Sequence, residues 1–189
     1  MLKIPSLFER DWDGDKGRVL PVFALDLPSD AVATRKWDGT AVRVHQGELW
    51  KRYNLKANRS APEGFEPCGP RDERTGHQFG WVPVGDGPED RWLREATKVG
   101  VPTDGTYELC GPKIGGNPEA WAAHVLIPHG VDILNDVPTD FDGLRKWLGE
   151  HLIEGIVWWS AESDGPPLAK IKRRDFGLPW PPRKESNRG

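Results

Sequence analysis

Apolar and polar positions alternate along several short stretches of this chain, and each such stretch predicts a strand. "AVRVH" (41–45) alternates cleanly, and after Gln46, Gly47 and Glu48 the run "LWKRYNL" (49–55) supplies a hairpin partner. Further strands are expected at "TYELCG" (106–111), "HVLIPHG" (124–130), "EGIVWWSA" (154–161) and "LAKIKRR" (168–174). A helical period takes over in two places. In "PEDRWLREATKVG" (88–100) Trp92, Leu93, Ala96 and Val99 form one stripe, acids lead, and Gly100 is a stop signal. In "TDFDGLRKWLGEHLI" (139–153) the stripe is Phe141, Leu144, Trp147 and Leu148, with Thr139 as N-cap and Asp142 three residues on. A shorter helix is expected over "PEAWAAH" (118–124), with Pro118 in its first turn. Strands outnumber helices and hairpins link neighbours, so the pattern predicts an antiparallel α+β fold rather than a doubly wound sheet. Residues 56–80 show no period and are expected as a long polar loop, a length that is usually functional or mobile. One domain over 1–182 and a disordered tail over 183–189 complete the expectation.

Composition narrows the function classes. The net charge of −3 gives no bulk affinity for polyanions, so any nucleic-acid site must be a local basic patch. No apolar run is long enough to span a membrane, and "MLKIPSLFERDWDGD" lacks a signal-peptide core, which points to a cytoplasmic protein with no membrane partner. Cys68 and Cys110 form no C-x-x-C pair and are expected to be reduced, without a cysteine zinc site. His124 and His129 fall on opposite strand faces and read as structural histidines. Trp37 and Trp158, two of ten tryptophans, read as core, and no base-stacking aromatic is assigned.

The chemistry lies elsewhere. "RKWDGT" (35–40) sets Lys36 two residues before an Asp-Gly pair, either as a surface lysine or as a nucleophile at a strand end. Taken alone the first reading wins. Glu108 lies inside a strand, facing solvent or a polar pocket, and Glu154 opens a strongly apolar strand. Period two places Lys170 and Lys172 on one face, with Ala169 and Ile171 on the other. Two cations on one face repel, and a phosphate between them explains the pair better than an edge in water.

These stretches, in this order, resemble the covalent nucleotidyltransferase superfamily of polynucleotide ligases and mRNA capping enzymes. "KWDGT" is similar to its first motif, "YELCG" to its third, "EGIVWW" to its fourth and "AKIKRR" to its fifth. "YELCGPKIGGNPE", "HVLIPHG", "EGIVWW" and "IKRRDFGLPWP" further resemble the ATP-dependent 5′-to-3′ RNA ligase family. The resemblance implies an antiparallel-sheet nucleotidyltransferase (adenylation) domain of the ligase type, monomeric and without an OB-fold domain. It implies ATP as co-substrate, Mg²⁺ (or Mn²⁺), and RNA with 5′-phosphate and 3′-hydroxyl ends.

Lys36 would attack the α-phosphorus to give lysyl-AMP, which requires its proton to leave. Lys170 and Lys172 would neutralise phosphates, Glu154 would hold the metal, and Glu108 would contact ribose hydroxyls or a metal-bound water. Arg35, Asp38, Gly39, Thr40 and Arg52 complete the implied nucleotide-binding set, with Arg43 a weaker member. An RNA face is expected over Lys51, Arg52, Lys56, Arg59, Arg173 and Arg174. Two departures stand out. Ala41 occupies a place where DNA ligases usually carry arginine, which with Thr40 favours RNA over DNA. Arg35 stands where several RNA ligases have an acid. A DNA ligase, a guanylyltransferase and a non-catalytic RNA-binding module are the alternatives.

Overall fold

A computed structural model describes residues 2–15, 17–162 and 165–181; the expected tail lies outside them. In chain order the strands are β1 (Phe8–Arg10), β2 (Val19–Phe23), β3 (Val32–Lys36), β4 (Thr40–His45), β5 (Glu48–Leu55), β6 (Glu66–Pro67), β7 (Gln78–Pro83), β8 (Gly105–Cys110), β9 (Val125–Pro128), β10 (Gly155–Trp159) and β11 (Pro167–Lys172). Two α-helices, α1 (Arg91–Ala96) and α2 (Phe141–Glu150), accompany them. Every strand pair among the described residues is antiparallel, so the fold is α+β as the hydrophobic pattern predicts. The residues group into two compact units, one of 2–3 with 38–129 and one of 4–37 with 130–181.

The first unit is a six-stranded sheet in the order β6-β7-β5-β4-β8-β9. Its alternation works as read: Val42 and Val44 are buried with Leu93, Tyr107 and Leu109, while Ala41 and Arg43 face the other way. Gln46 and Gly47 both take positive φ (53° and 74°), the geometry of a two-residue hairpin whose twist suits β4 and β5. The Asp104 carboxylate accepts from both of their amides and secures that turn.

The second unit pairs β11-β10-β3 in one sheet and β1-β2 in another. Its core joins Leu7 and Phe8 to Leu144 and Leu148 of α2 and to Ile156, Trp158, Ala169 and Ile171. Fully burying one such leucine or isoleucine contributes about 1.5–3 kcal/mol.

Several expectations change. Residues 118–124 are turns rather than a helix, because the Asn117 amide bonds both backbone groups of Trp121 and Ala120 sits at φ 55°. The first helix begins with a 3₁₀ turn at Pro88–Asp90 and stops at Ala96, leaving Val99 fully exposed. Helix α2 is capped by Asp140, whose carboxylate accepts from Gly143 N at 2.8 Å, and not by Thr139. Strand β11 ends at Lys172; Arg173–Phe176 forms a 3₁₀ turn closed by the Asp175 carboxylate on Lys172 N. The stretch 56–80 carries β6 and the start of β7.

Candidate functional site

In the second unit the strand register brings three charged side chains together. Gly155 opens β10 and lies opposite Lys172 of β11 on one side and Lys36 of β3 on the other. Glu154, the residue before it, is thereby placed between the two lysines. This depends on glycine at 155. A Cβ there would sit 2.1 Å from the carbonyl oxygen of Ile171 and 2.9 Å from Cα of Lys172.

Lys36 Nζ donates to Glu154 Oε2 at 2.6 Å and to the Trp37 carbonyl at 3.2 Å. Lys172 Nζ lies 2.8 Å from Glu154 Oε1. The three side chains are 19%, 6% and 13% exposed for Lys36, Glu154 and Lys172, so water screens these charges weakly. Burial alone would push the Glu154 carboxyl up, yet the ammoniums of Lys36 and Lys172 outweigh it and hold the group below its ordinary value. Lys172 is pushed down from its ordinary value, by burial first and by the Lys36 ammonium next, against the pull of Glu154. Both partners can shift downwards because two ammoniums share one carboxylate.

Lys170 shares the Lys172 face, opposite Val157, while Ala169 and Ile171 are fully buried on the other, as period two predicts. Arg35 and Trp37 form a pair of their own. The Arg35 guanidinium lies 3.8 Å from the Trp37 ring centroid, and the Trp37 indole N–H donates to Asp132 Oδ2 at 2.7 Å. Trp158 is core as read, but Trp37 is half-buried and tied to polar partners rather than packed inside.

The first unit carries a second group on one face of its sheet. Register pairs Ala41 with Glu108, Arg43 with Thr106 and Trp50, and Arg52 with Trp81, so these side chains share that face. The Arg43 guanidinium lies 4.6 Å from the Trp50 ring centroid and 5.6 Å from that of Trp81. Arg52 lies 5.1 Å from Phe79 and 5.2 Å from Trp81, a continuous layering of cations on aromatic rings. Burial pushes Arg52 below its ordinary value, with Cys68, whose sulfur accepts from Arg52 Nη1 at 3.3 Å, acting the other way. Gly39 packs against the backbone beside Glu108: a Cβ there would lie 2.2 Å from the Leu109 carbonyl oxygen. Asp38 precedes it in this turn, and Thr40 follows as the exposed first residue of β4.

Glu108 is nearly buried, and its Oε2 lies 2.9 Å from His129 Nε2. The hairpin register sets Tyr107 opposite Pro128 and so carries Thr106 and His129, a histidine expected to be structural, onto the Glu108 face. His124, by contrast, is held between the Trp92 ring and Glu95.

Two members of the expected RNA face are otherwise engaged. Arg173 is 4% exposed, and its guanidinium donates to the carbonyls of Leu148, His151 and Pro179, closing the end of α2. Lys51 turns to the opposite sheet face from Arg52 and pairs with both oxygens of buried Asp90, at 2.6 and 2.7 Å. Lys56, Arg59 and Arg174 are exposed.

Both Glu154 oxygens face a lysine ammonium and one Glu108 oxygen faces His129. Among the described residues no group of three or more His, Cys, Asp or Glu side chains could hold a metal ion. Mg²⁺ is ordinarily held through one or two carboxylates with waters and substrate phosphates, and Glu154 and Glu108 are the carboxylates that would contribute to it. A cavity of about 630 Å³ lies on the reverse side of β3, lined by Ala33, Leu27, Leu134 and Trp158, and includes none of Lys36, Glu154 and Lys172. Among the described residues no helix is long and apolar enough to cross a membrane.

No curated protein matches the chain. A model of the RNA ligase 1 family matches residues 95–187, just under half of the sequence. The matched span includes Glu108, His129, Glu154, Lys170 and Lys172 and leaves Lys36 outside it. Over that span the chain is similar to the RNA ligase 1 family.

Proposed function

We propose that the chain is an ATP-dependent RNA ligase of the nucleotidyltransferase type, working through lysyl-AMP on Lys36. The observation that carries this is the buried Lys36–Glu154–Lys172 cluster. An amine attacks phosphorus only when neutral. Two ammoniums sharing one buried carboxylate repel each other, so loss of one proton relieves the cluster and leaves an amine beside an ion pair. Lys36 Nζ then bonds to the α-phosphorus of ATP, and the bond from that phosphorus to pyrophosphate breaks. AMP next passes to the 5′-phosphate of RNA, which frees Lys36. A 3′-hydroxyl then attacks that 5′-phosphorus, AMP leaves, and the strand is sealed.

Lys170 and Lys172, on one strand face, would offset phosphate charge during these displacements. Glu154 keeps Lys172 and Lys36 in place. Glu108 would meet a ribose hydroxyl, and the Arg43–Trp50–Trp81–Arg52 layering would receive nucleotide or RNA through stacking and cation contacts. Mg²⁺ or Mn²⁺ would accompany ATP as the counter-ion of its phosphates, and Lys56, Arg59 and Arg174 would contact the RNA backbone. In this reading the protein acts as a monomer in the cytoplasm.

The test is sealing of RNA that carries 5′-phosphate and 3′-hydroxyl ends, supplied as single strands, nicked duplex RNA and nicked duplex DNA. ATP-dependent joining of RNA, lost in Lys36→Ala, is the expected outcome. Joining of DNA alone, or no joining by a protein that binds RNA, overturns it in favour of a DNA ligase or a binding module.

A further inference from the structure

We propose that Asp175, anchored by Arg10, is a positioning residue for Lys172 and Glu154, so that β1 takes part in building the site. This rests on the nucleotidyl-transfer reading above and adds to it two residues that act through others. Every group involved lies in the second unit. Strand β11 ends at Lys172, and the chain turns there while keeping the register that sets Lys172 opposite Gly155. Two amides hold it. The Lys172 N–H donates to Asp175 Oδ2 at 2.9 Å, and the Arg173 N–H donates to the Glu154 carbonyl at 2.9 Å. The first bond closes the 3₁₀ turn Arg173–Phe176. The second ties that turn to the backbone of Glu154, whose carboxylate lies between Lys36 and Lys172. One turn therefore sets the backbone of two of the three charged residues.

The Asp175 side chain is itself held from both sides. Its second oxygen, Oδ1, lies 3.0 Å from Arg10 Nη2, and the side chains are 3% exposed for Asp175 and 26% for Arg10. Burying a carboxylate is costly unless it is paired and hydrogen-bonded, and here each oxygen has a partner. Strand β1 meets the turn twice. Arg10 supplies the guanidinium, and Phe8 packs on Phe176 of the turn and on Phe141 of α2, with ring centroids 6.2 and 5.3 Å away. An apolar side chain at 175 would keep that packing, but it would leave the Lys172 N–H without its acceptor. The carboxylate is thus placed for what it does to Lys172 and, through Arg173, to Glu154.

The experiment compares the wild-type full chain with Asp175→Asn and with the double variant Arg10→Met/Asp175→Asn. An amide has a single acceptor oxygen. In Asp175→Asn, Arg10 and the Lys172 N–H compete for it; without Arg10 it is free to serve Lys172. Single-turnover labelling at saturating ATP separates the rate constant from the final fraction labelled. A misplacement of about 1 Å can cost about 100-fold, so the rate constant should fall at least about tenfold in Asp175→Asn and recover most of that in the double variant. Hydrogen exchange read by NMR should be about tenfold faster at the Lys172 and Arg173 amides of Asp175→Asn. The amide of buried Leu7, bonded to the Lys170 carbonyl, should exchange as before. An unchanged rate constant, a smaller labelled fraction at an unchanged rate constant, or a double variant no faster than Asp175→Asn overturns the proposal. So does unchanged exchange at Lys172 and Arg173, or exchange that rises equally at Leu7. A wild type that takes no label would bring down the nucleotidyl-transfer reading, and exchange alone would then decide whether Asp175 holds Lys172 and Glu154 in place.

Discussion

Replacing Glu154 by glutamine keeps the size of the side chain and removes the single negative charge between Lys36 and Lys172. At 2.6 and 2.8 Å each contact is worth about 6 kcal/mol at an effective dielectric near 20, before desolvation is subtracted. Desolvation of three side chains this buried offsets most of that, and breaking such a pair by removing one partner costs about 3–5 kcal/mol. At the lower end, for a chain of this length, the loss of about 3 kcal/mol lowers the melting temperature by about 6–12 °C.

The loss depends on pH, with a defined sign. Lys172 already binds its proton less tightly than an ordinary lysine, for burial and for the neighbouring Lys36 ammonium. Without Glu154 the group that raised it is gone, so it falls further. The unfolded variant then binds more protons than the folded one, and stability rises with pH up to the ordinary lysine range. Wild-type Glu154, held below its ordinary value, contributes stability above the carboxylate range and loses it as pH falls through that range. The gap between wild type and variant is therefore widest near pH 6 and narrows towards pH 9.5. Thermal melts followed by circular dichroism at pH 6, 7.5 and 9.5 measure it. A drop under about 2 °C at pH 6, against the 6–12 °C expected from the buried pairs, or the same drop at all three pH values, would refute the reasoning.

Three further outcomes follow from the same geometry. Gly155→Ala drives a methyl against the Ile171 carbonyl and should cost about 1–3 kcal/mol in urea unfolding, the usual range for overpacking, with no change in slope. Arg173→Ala and Arg174→Ala should separate cleanly: the buried Arg173 lowers stability when truncated, whereas the exposed Arg174 leaves melting unchanged and weakens RNA binding with a shallower salt dependence. Asp140→Ala should lose about 1 kcal/mol as the true cap of α2, while Thr139→Ala should be close to neutral in the same urea titration.

What could be read in advance was set by burial on one face only. The β4–β5 hairpin and β11 announce themselves because one face of each is apolar and the other polar, and the shared face of Lys170 and Lys172 comes with that period. Strand β3, which carries Lys36, has no such contrast. Thr34 is buried there through hydrogen bonds, donating to the Val157 carbonyl and accepting from the Trp159 indole, so a polar residue occupies an inward position. The false helix at 118–124 has a helical composition, but a local Asn117–Trp121 bracket overrides it. Arg173 and Lys51 looked like surface cations because burial partners such as the carbonyls of α2 and Asp90 leave no mark near them in sequence. The meeting of Lys36, Glu154 and Lys172 needs two strand registers at once. Order along the chain suggested it, and only the pairing of Gly155 with both lysines gives it a geometry.

The central claim is a phosphoramidate between Lys36 and AMP. The direct measurement treats the purified protein with pyrophosphate to strip any resident adenylate, then offers α-labelled ATP or α-labelled GTP with Mg²⁺. Covalent label is read on denaturing gels and by intact mass, beside Lys36→Ala. The account predicts label and one added AMP from ATP, none from GTP, and none in the variant. Label that persists in Lys36→Ala, label from GTP alone, or an unlabelled wild type of unmodified mass would contradict it.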